Sequence, residues 1–180
     1  GKLLDWGAVD AFRKTALNSE YPVQRSTVQN PDIFFQAREA CNPWYDNLPE
    51  VVEGYLKEIS RLTGRHYGLF NYWGVPDAER VVVAMGSVSG VLREVVEHLN
   101  AKGEKVGFLQ VHLYRPFSEE RLLAALPGTA KRVTVLDRTK EPGASGEPLF
   151  KDVATAMIGR AEHPAIYAGR YGLSSKDVTP

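Results

Sequence analysis

The sequence predicts an α/β fold over residues 69 to 173, a mainly parallel sheet with helices on both faces, preceded by a helical arm. Three observations carry this. The run Arg80-Val81-Val82-Val83-Ala84-Met85 is continuously β-branched rather than alternating, as in a strand buried on both faces. Strand-like runs are separated by helix-patterned stretches of about 10–15 residues, long enough to be crossover connections between parallel strands. The 180 residues are 43% hydrophobic, enough for one sizeable core with some length left over.

In the arm, Trp6, Val9, Phe12 and Leu17 fall near helical spacing behind Asp5, a plausible N-cap. Tyr21 to Thr27 reads as an extended linker. Asn30-Pro31 is a strong helix start, because Asn accepts from free backbone N–H groups while Pro lacks only an N–H that would be unpaired there. Ile33, Phe34, Ala37 and Cys41 then form one apolar stripe, which makes Cys41 a small core residue. A third helix is expected from Asn47 to Pro49 onward, with Val51, Val52, Tyr55, Leu56, Ile59 and Leu62 at three-to-four spacing and Gly64 as its stop.

In the second part, Leu69 to Trp73 is aromatic-rich and ends at Gly74, a short strand. Arg80 to Met85 is the second. It breaks at Gly86-Ser87, and a helix follows with Val88, Val91, Leu92, Val95, Val96 and Leu99 expected on its core face. Lys105 to Leu113 is a third strand, and Ser118 caps a helix whose first turn carries Glu119 and Glu120 and which ends at Pro127-Gly128. Arg132 to Asp137 is a fourth strand, residues 149 to about 160 a helix, and Ala165 to Ala168 a fifth strand.

Composition excludes several function classes. With 22 Lys+Arg against 22 Asp+Glu, the chain offers no broad attraction to nucleic acid or to anionic membranes. A single cysteine builds neither an internal disulfide nor a Cys-ligated metal or iron–sulfur site, which suits a reducing, cytoplasmic setting. No apolar run reaches the roughly 20 residues of a membrane helix, so a soluble protein is expected. His66, His98, His112 and His163 show no metal-ligand spacing, and neither a nucleophile elbow nor a P-loop is present.

Functional groups should lie at the carboxyl ends of the strands: Gly86–Gly90, Tyr114–Ser118, Asp137–Pro148 and Gly169–Asp177. The small residues around Ser87 can bind an anion at a helix N-terminus or simply pack tightly. Arg115 can clamp a carboxylate or phosphate, or pair with a neighbouring carboxylate. The loop holding Arg138, Lys140 and Glu141 is charged and stiffened by Pro142 and Pro148, which suits a docking or ligand-facing surface. Arg170 and Lys176 form a last polar segment. No nucleophile–base–orienter set is readable among these residues.

Several of these segments carry a family resemblance. Gln29-Asn30-Pro31-Asp32-Ile33, Phe70-Asn71-Tyr72, Pro76 to Arg80, Ala84-Met85-Gly86-Ser87, Leu99 to Gly107, Leu113 to Ser118, Val135 through Pro148 and Gly169 to Leu173 together resemble the pyruvate:ferredoxin (flavodoxin) oxidoreductases, the pyruvate synthases. Of these, the run Leu136-Asp137-Arg138-Thr139-Lys140-Glu141-Pro142-Gly143-Ala144 is the most specific. The resemblance implies an excerpt of a long multidomain enzyme. Residues 1–68 would be the end of a pyrimidine-type thiamine domain and its linker, and residues 69–180 a transketolase C-terminal-like domain. The implied fold is a three-layer α/β/α unit with five strands in the order 1-3-2-4-5, the first antiparallel. The chain begins at Gly1 rather than Met and closes on Asp177-Val178-Thr179-Pro180 without a capping element, as an excerpt would.

The implied activity is conversion of pyruvate and coenzyme A to acetyl-CoA and CO₂, with electrons passed to ferredoxin or flavodoxin. Thiamine diphosphate, Mg²⁺ and 4Fe–4S clusters would serve the full-length enzyme, a homodimer, and none would sit within these residues. The fragment would have no catalytic residues, would be inactive alone, and would pack against other domains. Ser87, Arg115, Arg138, Lys140, Glu141, Arg170 and Lys176 are its expected interdomain or coenzyme-facing residues. An independent flavodoxin-like module holding a nucleotide or coenzyme at Gly86–Gly90, and the equivalent domain of another 2-oxoacid oxidoreductase, are the alternatives. The family pattern has Arg at His112 and Gly at Ser174, two departures in this chain.

Overall fold

The computed structural model describes residues 4–23 and 28–177, which fall into two units, one up to Cys41 and one from Asn42. The expected linker residues 24–27 and the chain ends 1–3 and 178–180 lie outside the described residues.

The first unit contains α1 (Trp6–Arg13) and α2 (Pro31–Glu39). Both start on the side chains that the sequence nominates. Asp5 accepts from the Ala8 N–H at 3.1 Å, and Asn30 accepts from the Ile33 N–H at 3.0 Å with Pro31 behind it. The expected α2 stripe is not a core: Ile33 and Phe34 are more than half exposed, and Cys41 lies past the helix end, half-buried, with its Sγ against the Ala37 carbonyl.

The second unit opens with α3 (Asn42–Thr63), which begins five residues before the expected start. Asn42-Pro43 repeats the Asn-Pro motif of α2, whereas Pro49 lies inside the helix. That proline forfeits one backbone hydrogen bond, and the packing of Val52 and Leu56 on the sheet core holds the helix together around it. Gly64 ends α3 at φ 70°, a left-handed conformation that glycine adopts without strain.

The strands are β1 (Phe70–Gly74), β2 (Arg80–Met85), β3 (Val106–Val111), β4 (Arg132–Asp137) and β5 (Ala165–Arg170). They form one sheet in the order β1-β3-β2-β4-β5, with β1 antiparallel and the rest parallel. This is the topology that the resemblance implied. Helices α4 (Ser89–Ala101), α5 (Glu119–Ala125) and α6 (Pro148–Met157) connect the strands, a short 3₁₀ turn at Gly86–Val88 leading into α4.

The two sheet faces carry separate cores. On one, Val81, Val83, Leu109, Val111, Val133 and Val135 meet Leu122 of α5, Leu149 and Val153 of α6, and the α3 stripe. On the other, Ala84, Val106 and Phe108 meet Val96, Leu92 and Leu99 of α4. Leu109 and Phe108 are fully buried and point to opposite faces, which explains why these strands read as unbroken apolar runs. Val91 and Val95 were expected in the α4 core face, but they are 59% and 44% exposed. One helical face is too narrow for all six apolar residues, and Val88, Leu92, Val96 and Leu99 occupy it.

Candidate functional site

At the carboxyl edge of the sheet, β2 and β4 are neighbours whose following helices, α4 and α6, pack on opposite faces. That arrangement opens a crevice between the two strand ends, the usual ligand position in open α/β sheets. Here Arg138 fills it. Its Nε donates to the Gly172 carbonyl at 3.0 Å, and its two terminal nitrogens donate to Ser87 Oγ at 3.3 Å and Ser175 Oγ at 3.4 Å. One guanidinium thus ties together the loops after β2, β4 and β5. The Tyr171 hydroxyl adds a second tie, donating to the Met85 carbonyl at 3.2 Å, and burial pushes its phenol above the ordinary tyrosine range.

A second cluster lies beneath. Asp137, 2% exposed, accepts from the Leu149 N–H at 3.0 Å and the Phe150 N–H at 3.1 Å and so caps α6 from the end of β4. Burial raises its pKa, an effect that these two hydrogen bonds only partly offset. Glu147, 1% exposed, accepts from Arg170 Nε at 2.5 Å and from the Glu141 N–H at 2.9 Å. The Arg170 hydrogen bond holds the Glu147 carboxyl below the usual range. The Glu141 carboxylate pairs with Lys151 at 3.0 Å.

Of the sequence-nominated residues, Ser87 and Arg138 are therefore joined directly, and Glu141 and Arg170 through Glu147. Lys140 is exposed and adds positive charge near Glu147, while Lys176 is exposed beyond the last turn. Arg115 lies apart from both clusters: it stacks on the Tyr114 ring at 4.0 Å and forms an ion pair with Asp152 of α6 at 2.8 Å, the neighbouring-carboxylate alternative. The Gly86–Gly90 turn is likewise closed on itself, since Ser89 Oγ donates to the Gly86 carbonyl at 2.8 Å and Ser87 is engaged by Arg138.

The sequence places Asp137, Glu147, Tyr171 and Ser175 within the strand-end segments Asp137–Pro148 and Gly169–Asp177 but does not single them out as site residues. The available signal was an acidic residue ending a buried strand and a Glu-Pro pair opening the next helix. Among the described residues, no group of three His, Cys, Asp or Glu side chains is placed to hold a metal ion.

Residues 78–180 match the family model described as pyruvate:ferredoxin oxidoreductase core domain II. The chain belongs to this family. Core domain II is thus the frame in which the Arg138 and Glu147 clusters lie. Over 99% of its length the chain is 54% identical to the pyruvate:ferredoxin oxidoreductase of Moorella thermoacetica and 57% identical to the pyruvate-flavodoxin oxidoreductase of Klebsiella pneumoniae. It spans 15% of each of those relatives. A solved 2-oxoglutarate:ferredoxin oxidoreductase from Magnetococcus marinus superposes with a TM-score of 0.44 at 24% identity, over 65% of this chain and 19% of that one.

Proposed function

We propose that residues 69–180 are the core domain II of a pyruvate:ferredoxin or flavodoxin oxidoreductase, with residues 1–68 the end of the preceding domain and its linker, and that the domain acts there in packing rather than as a reaction centre. The enzyme would convert pyruvate and coenzyme A to acetyl-CoA and CO₂ and pass electrons to ferredoxin or flavodoxin. It would do so in the cytoplasm, as a homodimer. Thiamine diphosphate, Mg²⁺ and the 4Fe–4S clusters would be held by other parts of the polypeptide, and no chemical step is assigned to these residues.

The observation that carries this reading is the internal engagement of the strand-end groups. Arg138, Arg170, Glu141, Glu147 and Asp137 all bind their own loops and helices, which shapes a stiff surface and leaves no nucleophile–base pair. The α4 face of the sheet supports it too. There, α4 packs against β1 and β3, while its own Val91 and Val95, and Tyr167 of β5, are exposed, a surface suited to a neighbouring domain of the same polypeptide. Ser87, Arg115, Lys140 and Lys176 belong to the same proposal, as rim contacts or as residues facing the coenzyme.

Charge reversal tests this in the complete polypeptide. Arg138→Glu breaks the three-loop clamp, and either weaker domain assembly or a higher KM for coenzyme A is expected in steady-state kinetics and sedimentation. Wild-type behaviour in Arg138→Glu and Lys140→Glu alike would refute the role of this edge.

A further inference from the structure

A cavity of about 490 Å³ opens on the opposite side of the sheet from α6, at the β1 edge, far in sequence from the Arg138 clamp. It is lined by Arg65, His66, Tyr67, Asn71, Trp73, Arg93, Gln110 and His112, with no carboxylate among them. Among the described residues neither Arg65 nor Arg93 forms an ion pair, although eight other cations of this unit do. Trp73, in the cavity wall, has its indole Nε1–H buried with no acceptor. A buried donor left unpaired is costly and marks a place where an acceptor belongs.

The wall is held in shape before any ligand arrives. Asn71 Nδ2 donates to the His66 carbonyl at 2.8 Å, its Oδ1 accepts from the Gly68 N–H at 2.7 Å, and His112 Nδ1 donates to the Gly68 carbonyl at 2.8 Å. Arg93 lies over the Trp73 ring, its Cζ 4.6 Å from the centroid, and its Nε donates to the Ser89 carbonyl at 3.4 Å, so its planar fork is oriented rather than free in solvent.

We infer that this cavity is a binding site for the phosphate group of a small phosphorylated metabolite. Two guanidiniums line it from different elements, the loop before β1 and helix α4, and the neutral Gln110 amide supplements them. That surplus of donors matches the several oxygens of a phosphate better than a single carboxylate. The volume suits a small molecule that carries the group, and the faces of Tyr67 and Trp73 offer apolar surface for the rest of it. The site uses none of the strand-end residues, so it stands or falls independently of the packing role proposed above.

Hydrogen–deuterium exchange on the complete polypeptide tests the site with inorganic phosphate as the probe, at ionic strength held constant with chloride. Phosphate is expected to slow exchange in residues 65–74 and 108–113 in a saturable way. The half-saturating concentration should rise tenfold or more in Arg65→Gln, an exposed position whose loss leaves the fold intact, and again in Arg65→Gln/Arg93→Gln. Unchanged exchange in residues 94–101 of the double variant verifies that α4 is still folded. Absence of slowing, equal slowing by chloride, or equal half-saturation in wild type and Arg65→Gln would each overturn the proposal.

Discussion

Ser174 has φ 52° and Ser175 φ 61°, both in the left-handed region that side chains rarely adopt. The resemblance implies Gly at the first of these positions, a residue for which a left-handed backbone carries no strain. The Ser175 backbone is held through its hydroxyl by Arg138, but Ser174 has no such compensation in the clamp. Ser174→Gly is therefore expected to raise stability by about 0.5 kcal/mol and Ser174→Val to lower it by about 2 kcal/mol, read from thermal unfolding. Asp137 and Glu147 set opposing pH dependences. Glu147, with its pKa lowered by Arg170, contributes stability above the ordinary carboxylate range that is lost as pH falls through its folded pKa. Asp137, raised by burial, behaves oppositely: above its folded pKa the ionised form disfavours folding, and acidification recovers that loss. Between about pH 7 and 4 the midpoint of unfolding should fall more steeply in Asp137→Asn than in wild type, and below about pH 4 it should fall less steeply in Glu147→Gln. Equal slopes in all three would contradict these assignments. Residues of this kind were only half legible in the sequence. The caps Asp5, Asn30 and Ser118 act on backbone three residues away and were found, whereas Asp137 caps a helix eleven residues downstream through a turn that only the fold creates.

Strands were more legible than helices in this chain. β2 and β4 match their expected ranges, because continuous β-branched runs bounded by Gly, Lys or Asp leave little choice. Helix α3 started early because two Asn- or Asp-associated prolines compete for its first turn, and only packing decides between them. Register adds a constraint at Gly107, which pairs with Gly74 and lies directly under the Tyr72 ring, so a Cβ at Gly107 would collide with that ring. Gly107→Ala should displace Tyr72, whose hydroxyl donates to the Val75 carbonyl at 2.7 Å, and cost about 2 kcal/mol. An unchanged unfolding midpoint would contradict this packing. On α4, Val91 and Val95, left outside the core, belong to the proposed docking face. Val91→Glu/Val95→Glu should leave the unfolding of this unit within about 0.5 kcal/mol, as exposed substitutions do, yet weaken assembly of the complete polypeptide. Assembly as in wild type would show that this face is free in the enzyme.

At the scale of the molecule, topology places the Arg138 clamp where an α/β sheet ordinarily receives a ligand, and the clamp's own hydrogen bonds occupy that crevice. The α/β class and the five strands were legible from periodicity, but strand order came only with the family resemblance, since crossover direction leaves no mark on a single sequence. The candidate residues were legible as positions at strand ends. Their partners were not, because those lie 6 to 51 residues away along the chain. On the proposed function, these groups shape a packing edge and perform no proton transfer or bond making. Single-turnover rates of the assembled enzyme at saturating pyruvate and coenzyme A test it directly in Arg138→Gln and Glu147→Gln. Chemical steps within about twofold of wild type are expected in both variants. A loss of roughly a hundredfold or more in a fully assembled variant, the size expected when a general acid or base is removed, would contradict it.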